Sequence, residues 1–153
     1  STAQAEDFIK KYFEAYPKLK AWLDQVIAET KKVGYVKNEI GRIRFLPEIN
    51  SSQFQVRAGA ERAAINMPLQ SLAADIIKMA MNKLAEEKLT SKDDCHLLLQ
   101  VHDELLFEVL ENKVETYVPK IIKIMSEIYK LKVPLLVEAK VGDNWEEMTR
   151  VQN

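Results

Sequence analysis

The 153 residues suffice for one ordinary domain with a real core, and a replicative enzyme built at that size would be unusually small. Hydrophobic residues make up 47% and charged ones 29%, a globular balance, and no apolar run approaches the roughly 20 residues of a membrane span. The net charge of −1 argues against a free-standing nucleic-acid binder, which normally carries a basic excess.

The chain opens Ser1-Thr2-Ala3-Gln4-Ala5-Glu6 with neither a basic start nor an apolar stretch behind it, so no secretory leader is visible and an intracellular home is expected. Apolar residues Phe8, Ile9, Tyr12, Phe13, Tyr16, Leu19, Trp22, Leu23, Val26 and Ile27 recur by threes and fours, which predicts an amphipathic helix over residues 3–31. Pro17 is expected to kink or split it, and Gly34 to end it. Tyr35-Val36-Lys37 and Arg42-Ile43-Arg44-Phe45-Leu46 then read as two short strands around an Asn38-Glu39-Ile40-Gly41 turn, with Pro47 as the stop. Residues 31–62 hold seven Lys or Arg against three acids, a local +4, so phosphate contacts are sought there; a solvated charged face is the alternative.

Asn50, Ser51 and Ser52 are candidate caps for a second helical stretch running to about Lys88 and interrupted near Pro68. Arg62, Asn66 and Gln70 lie four residues apart on it, and share one face if the path continues past the proline. All three donate hydrogen bonds. In the minor groove every base pair offers purine N3 and pyrimidine O2 acceptors, so such a row senses pair geometry without reading sequence. An ordinary polar helix face gives the same spacing.

After a polar turn from Leu89 to Asp94, Cys95-His96-Leu97-Leu98-Leu99-Gln100-Val101 reads as a buried strand and Leu105-Leu106-Phe107-Glu108-Val109 as its hairpin partner, with His102-Asp103-Glu104 at the tip. Cys95 is the only cysteine, which excludes an internal disulfide and cysteine-clustered metal sites, fits a reducing compartment, and reads as a small buried residue. His96 and His102 lie ~20 Å apart on an extended strand, too far to share a metal. A carboxylate beside a core is costly unless a cation or donors compensate it, and Mg²⁺, which takes one or two carboxylates with phosphates and waters, suits Asp103. A polar β-turn with a hydrogen-bonded Asp is the competing reading. Asn112 can cap a third helix with an apolar stripe of Val114, Val118, Ile121, Ile122, Met125, Ile128 and Tyr129, Pro119 being tolerated near its start. Val133 to Val141 reads as a last strand. No glycine-rich phosphate loop and no supported nucleophile arrangement is visible. The whole reads as one α+β unit: long helices packed on a small antiparallel sheet, with a hairpin bearing His-Asp-Glu at its tip.

At these residues the chain resembles family A DNA polymerases. Leu98-Leu99-Gln100-Val101-His102-Asp103-Glu104-Leu105 is similar to that family's third polymerase motif. Ala60-Glu61-Arg62-Ala63-Ala64-Ile65-Asn66-Met67-Pro68-Leu69-Gln70, continuing through Ala73-Ala74-Asp75-Ile76-Ile77-Lys78, is similar to the segment before it. Phe8-Ile9, Tyr12-Phe13, Tyr16-Pro17, Gly41 to Pro47, Val133-Pro134-Leu135 and Gly142-Asp143-Asn144-Trp145 stand around them in family-like order.

The resemblance implies a C-terminal part of a polymerase domain, with fingers-side helices at 1–33, a hairpin at 34–47, DNA-facing helices at 50–88, and a palm hairpin, helix and final strand at 95–153. It implies that Asp103 ligates the catalytic Mg²⁺ ions, two in the complete site, with Glu104 as an accessory carboxylate. Arg62, Asn66, Gln70 and His102 would contact the minor-groove edge and sugars of terminal primer-template pairs, with Gln100, Arg42 and Arg44 near the DNA. The implied function is primer 3′-hydroxyl extension with deoxynucleoside triphosphates by two-metal phosphoryl transfer; a non-catalytic DNA-binding remnant or accessory subunit is the alternative.

Two departures stand out. Where the family usually reads Gln-Gly before a small hydroxyl residue and Ala-Ala-Asp, this chain has Gln70-Ser71-Leu72-Ala73-Ala74-Asp75, so the close packing that glycine permits must differ. Ile43 also replaces a usual basic residue. The family's other metal-binding aspartate and its nucleotide-gripping fingers helix have no counterpart in these residues, so the chain alone is expected not to polymerise and to need a separate polypeptide carrying those motifs. A split-gene product and a truncation both fit, and Ser1 fits methionine removal or a splicing joint. The expected location is cytoplasmic and nucleoid-associated, or the host cytoplasm for a viral protein.

Overall fold

Pro17 splits the leading amphipathic stretch into two helices, α1 (Thr2–Ala15) and α2 (Pro17–Val33), in the computed structural model, which describes residues 2–151. Ser1, and with it the reading of how the chain starts, lies outside the described residues. The chain divides into two compact units, residues 1–72 and 73–153, where the sequence reading has one. Among the described residues no helix is long and apolar enough to cross a membrane.

In the first unit Pro17 occupies the first turn of α2, where its missing N–H leaves no bond unmade. Gly34 ends the helix at φ +78°, its N–H donating to the Thr30 carbonyl at 2.8 Å, the left-handed closure that glycine adopts without a Cβ penalty. β1 (Tyr35–Lys37) and β2 (Ile43–Phe45) pair antiparallel in the register Tyr35↔Phe45, Val36↔Arg44, Lys37↔Ile43. Pro47 begins a 3₁₀ turn (Pro47–Asn50), stopping the strand as its sequence predicts. The core gathers Val36, Leu46, Ile49, Ala60, Ala64 and Met67, with Val26 and Ala63 packed against them. α1 adds nothing to it: no residue of α1 is buried, and Phe8 is 71% exposed.

α3 runs unbroken over Phe54–Glu86 with Pro68 inside it, so the expected interruption is absent. Proline removes one ladder donor and crowds the preceding carbonyl, at about 3 kcal/mol. Ala60 and Ala64, two turns and one turn before the ring, and Met67 directly before it are all held in the first unit's core, which supports the helix where its own ladder is broken. None of the expected caps directly precedes α3: the Ser51 hydroxyl accepts from Gln53 N–H at 3.2 Å, and Asn50 instead donates to the Lys31 carbonyl at 2.9 Å.

In the second unit α3 closes on Lys88, a non-glycine residue at φ +55°, with Leu89 N–H reaching back to the Leu84 carbonyl at 2.8 Å. Strands β3 (Ser91–Lys92), β4 (Cys95–Val101) and β5 (Glu104–Val109) form an antiparallel sheet in that order. Leu84, Leu89, Cys95, Tyr117 and Ile121 make the core, flanked by Leu105, Phe107, Val109, Ile124 and Met125. Cys95 is fully buried and its thiol donates to the Leu89 carbonyl at 3.1 Å.

β4 is less buried than its apolar composition suggests. A register shift between Leu97 and Leu99 passes over Leu98, and Leu98 and Leu99 remain 51% and 49% exposed, because the elements of this unit cover one face of the hairpin only. α4 (Val114–Glu127) follows a 3₁₀ turn, Glu111–Lys113, that includes Asn112; Lys113 takes the cap position without a side-chain bond. The expected strand over Val133–Val141 shrinks to β6 (Lys140–Val141), paired with β7 (Thr149–Arg150). Pro134 lacks a ladder donor, and among the described residues no strand lies beside 133–139 to reward extension.

Candidate active-site hairpin and donor face

The β4–β5 hairpin is closed by a two-residue loop, His102-Asp103, because Glu104 is already paired opposite Val101 as the first residue of β5. The tip is thus one residue shorter than the three expected. His102 sits at φ +53°, a positive angle at the first loop position such as a type II′ turn requires. Histidine bears that conformation at a cost of order 1 kcal/mol, and strain of this kind persists where neighbours hold it. The neighbour is Gln100, whose Nε2 donates to the His102 carbonyl oxygen at 2.6 Å. Gln100 therefore has a local task, fixing the loop that carries Asp103.

His102, Asp103 and Glu104 are all exposed, and the two carboxylates stand among the residues lining a cleft of about 570 Å³ walled by β5, α4 and the segment 136–148. Its lining is mixed, with Val118, Ile122, Met125 and Trp145 beside Glu138, Lys140 and Glu146. Among the described residues no group of three or more His, Cys, Asp and Glu side chains is gathered as a metal-ligand set. Asp103 and Glu104 supply hard oxygen donors in the number that Mg²⁺ takes from protein when phosphates and water complete its shell. The residues fit such an ion as part of its ligand set.

At the base of the hairpin, Tyr117 of α4 donates its phenol to Asp94 Oδ1 at 2.7 Å. The hydrogen bond to the carboxylate, then burial, raise the Tyr117 pKa to about 12. Tyr117 is absent from the apolar stripe expected for α4, yet it is buried there with Ile121, and its place four residues before Ile121 is the signal for it.

In the first unit the continuity of α3 settles the condition attached to its donor row. Arg62, Asn66 and Gln70 are all exposed, and with ~1.5 Å of rise per residue the row spans ~12 Å, drifting ~40° around the axis at each step. Arg42 and Arg44 are exposed on the β1–β2 hairpin, and Arg44 lines a small recess with Gly59, Ala60 and Ala63 of α3. Ile43 between them is also exposed.

Not every cation of the basic stretch is available. Lys31 is paired with Glu61 at 2.6 Å, and Arg57 donates to the Ser51 carbonyl at 2.7 Å while lying over the Phe54 ring. Both do structural work that charge counting alone misses.

Against known families, residues 1–147 match the model of DNA polymerase family A. The chain is 44% identical over 144 residues to the thermostable DNA polymerase I of Thermus filiformis, covering 94% of this chain and 17% of that protein. It is 41% identical over 149 residues to DNA polymerase I of Bacillus caldotenax, covering 95% and 16%. Among solved structures, the POL domain of Pol1 from M. smegmatis, in complex with DNA primer-template and dNTP, superposes with a TM-score of 0.80 at 41% identity, covering 89% of this chain and 24% of that one. The chain thus spans about a sixth of the length of these curated relatives.

Proposed function

This chain belongs to DNA polymerase family A, and we propose that it serves as part of a DNA-templated DNA polymerase extending a primer 3′-hydroxyl with deoxynucleoside triphosphates. The observation that carries the reading is the pinned His102-Asp103 turn, which holds Asp103, with Glu104 beside it, at the edge of an open cleft. A positioned carboxylate on a rigid support is what phosphoryl transfer needs from its protein.

In the proposed reaction the primer 3′-oxygen bonds to the α-phosphorus of the incoming nucleotide, and the bond to pyrophosphate breaks. Family A polymerases generally use divalent metal ions, and bound Mg²⁺ would stabilise the attacking and leaving oxygens. Asp103 and Glu104 contribute oxygen ligands. Arg62, Asn66, Gln70 and His102 donate to minor-groove acceptors of the terminal pairs, testing their geometry without reading sequence. Arg42 and Arg44, with Gln100 near them in role, attend the DNA backbone.

Two-metal transfer needs carboxylates from more than one element, and we assign the second, with the nucleotide-gripping helix, to polypeptide beyond these residues. Action in the cytoplasm, where template DNA is met, belongs to the same proposal. The test is primer extension with Mg²⁺ and all four deoxynucleotides, using this chain alone and then with a polypeptide supplying the upstream polymerase segment. Extension in the mixture only is expected. Association without extension would favour a non-catalytic DNA-binding remnant, and extension by the chain alone would overturn the assignment of the missing groups.

A further inference from the structure

We propose that Ser71 and Asn38 form a latch that sets the pose of the Arg42/Arg44 hairpin on α3, making Ser71 a positioning residue for backbone contacts to DNA. The proposal rests on the reading of that hairpin as DNA-facing.

Asn38 is only 4% exposed, and its side-chain amide is committed at both ends. Its Oδ1 accepts from Ile40 N–H at 3.1 Å and from Arg42 N–H at 2.9 Å. An oxygen receiving two backbone donors fixes which way the amide faces, so the nitrogen must point away from the turn. That nitrogen donates to Ser71 Oγ at 2.9 Å, 33 residues on, and the Ser71 hydroxyl in turn donates to Met67 Sδ at 3.6 Å. The backbone of the turn is closed by Asn38 N–H to the Arg42 carbonyl and Gly41 N–H to the Asn38 carbonyl, both at 3.0 Å. The amide that shapes the loop immediately before Arg42 is therefore anchored on α3.

Ser71 continues the face of Ala60, Ala64 and Met67, which packs in the core with Val36 and Leu46 of the hairpin. It directly follows Gln70, the last residue of the exposed donor row. One hydroxyl thus joins the two elements that the proposed function places against DNA. A glycine or alanine at this position has no oxygen to offer, and the Asn38 amide nitrogen would lose a buried partner. The hairpin's other hold on α3 is the packing of Val36 and Leu46 with Ala60, Ala64 and Met67, which is non-directional, and its own ladder is only three residues long, so the hydrogen bond is what fixes the loop before Arg42.

The test is binding of a labelled primer-template by the assembled polymerase across a salt series, for the unaltered protein, S71A, S71T and R42A/R44A. Each phosphate contact contributes about 0.9 to the slope of log affinity against log salt, so losing two arginine contacts lowers it by about 1.8. R42A/R44A is expected to show that loss, S71A most of it, and S71T, which keeps the hydroxyl, little. Adding S71A to R42A/R44A should change nothing further. Amide exchange at Ile40 and Arg42 in the absence of DNA should quicken in S71A and not in S71T. An S71A slope equal to that of the unaltered protein, or an equal further weakening in the R42A/R44A background, would overturn the latch while leaving the DNA-facing hairpin intact. An unchanged slope in R42A/R44A would overturn the hairpin's proposed contact itself, and the positioning role with it.

Discussion

The side chain of Gln100 reaches across the hairpin tip to the carbonyl oxygen of His102, 2.6 Å away, and Asp103 is the next residue. A strained loop of two residues would sample other conformations without such a tie. Gln100→Ala removes a bond worth about 1 kcal/mol, and if that energy maintains the reactive pose, extension slows by about fivefold to tenfold. Single-turnover extension checks this: the rate at saturating nucleotide should fall by that factor, and a rate equal to the parent's would show that the bond does not maintain the pose.

Tyr117 ties α4 to the turn before β4 through Asp94, and its raised pKa gives that tie a pH signature. The folded value of about 12 lies above the ordinary value of 10.0, so the native state holds the phenolic proton more tightly than the unfolded chain does. The stabilisation is fully present below pH 10 and is lost as pH climbs toward 12. Tyr117→Phe should lower the urea midpoint at pH 7 without altering the slope of the transition. The difference between variant and parent should shrink above pH 10, and a difference that stays constant to pH 12 would contradict the bond.

Lys88 closes α3 at φ +55°, in the position where glycine is usual. Lys88→Gly relieves a left-handed penalty of about 1 kcal/mol, partly offset by the greater freedom glycine gives the unfolded chain. A gain of about 0.5 kcal/mol in equilibrium unfolding is the expected outcome, and a loss would show that the lysine chain contributes more packing than its exposure suggests.

Much of the fold is legible in the sequence wherever one residue dictates its own backbone. Pro17, Gly34, the Asn38–Gly41 turn and Pro47 each act locally, and helices and strands begin or stop at them as expected. Pro68 shows the limit: its local effect is disruptive, yet core residues before it and Ser71 after it are all held by the first unit. The strand expected at Val133–Val141 fails for the converse reason, since a strand exists only if another lies beside it, and apolar composition cannot supply one.

The candidate site divides the same way. Asp103 stands out by its position between apolar strands, and the row of Arg62, Asn66 and Gln70 by its spacing. The bonds that fix these groups, Gln100 to His102, Asn38 to Ser71 and Tyr117 to Asp94, join residues of polar or mixed character whose partners no periodicity marks. Lys31 and Arg57 mislead for a related reason: each counts as positive charge, and each is held by its own structure.

The most direct measurement is primer extension by the assembled polymerase carrying Asp103→Asn, with primer-template affinity measured in parallel. Asparagine keeps the size of the side chain and removes the charge proposed to hold a metal ion. Extension is expected to fall by at least about a thousandfold, roughly 4 kcal/mol of lost transition-state stabilisation, with DNA affinity within a few-fold of the parent. Extension at the parent's rate would contradict the assignment of Asp103 as the metal-binding carboxylate.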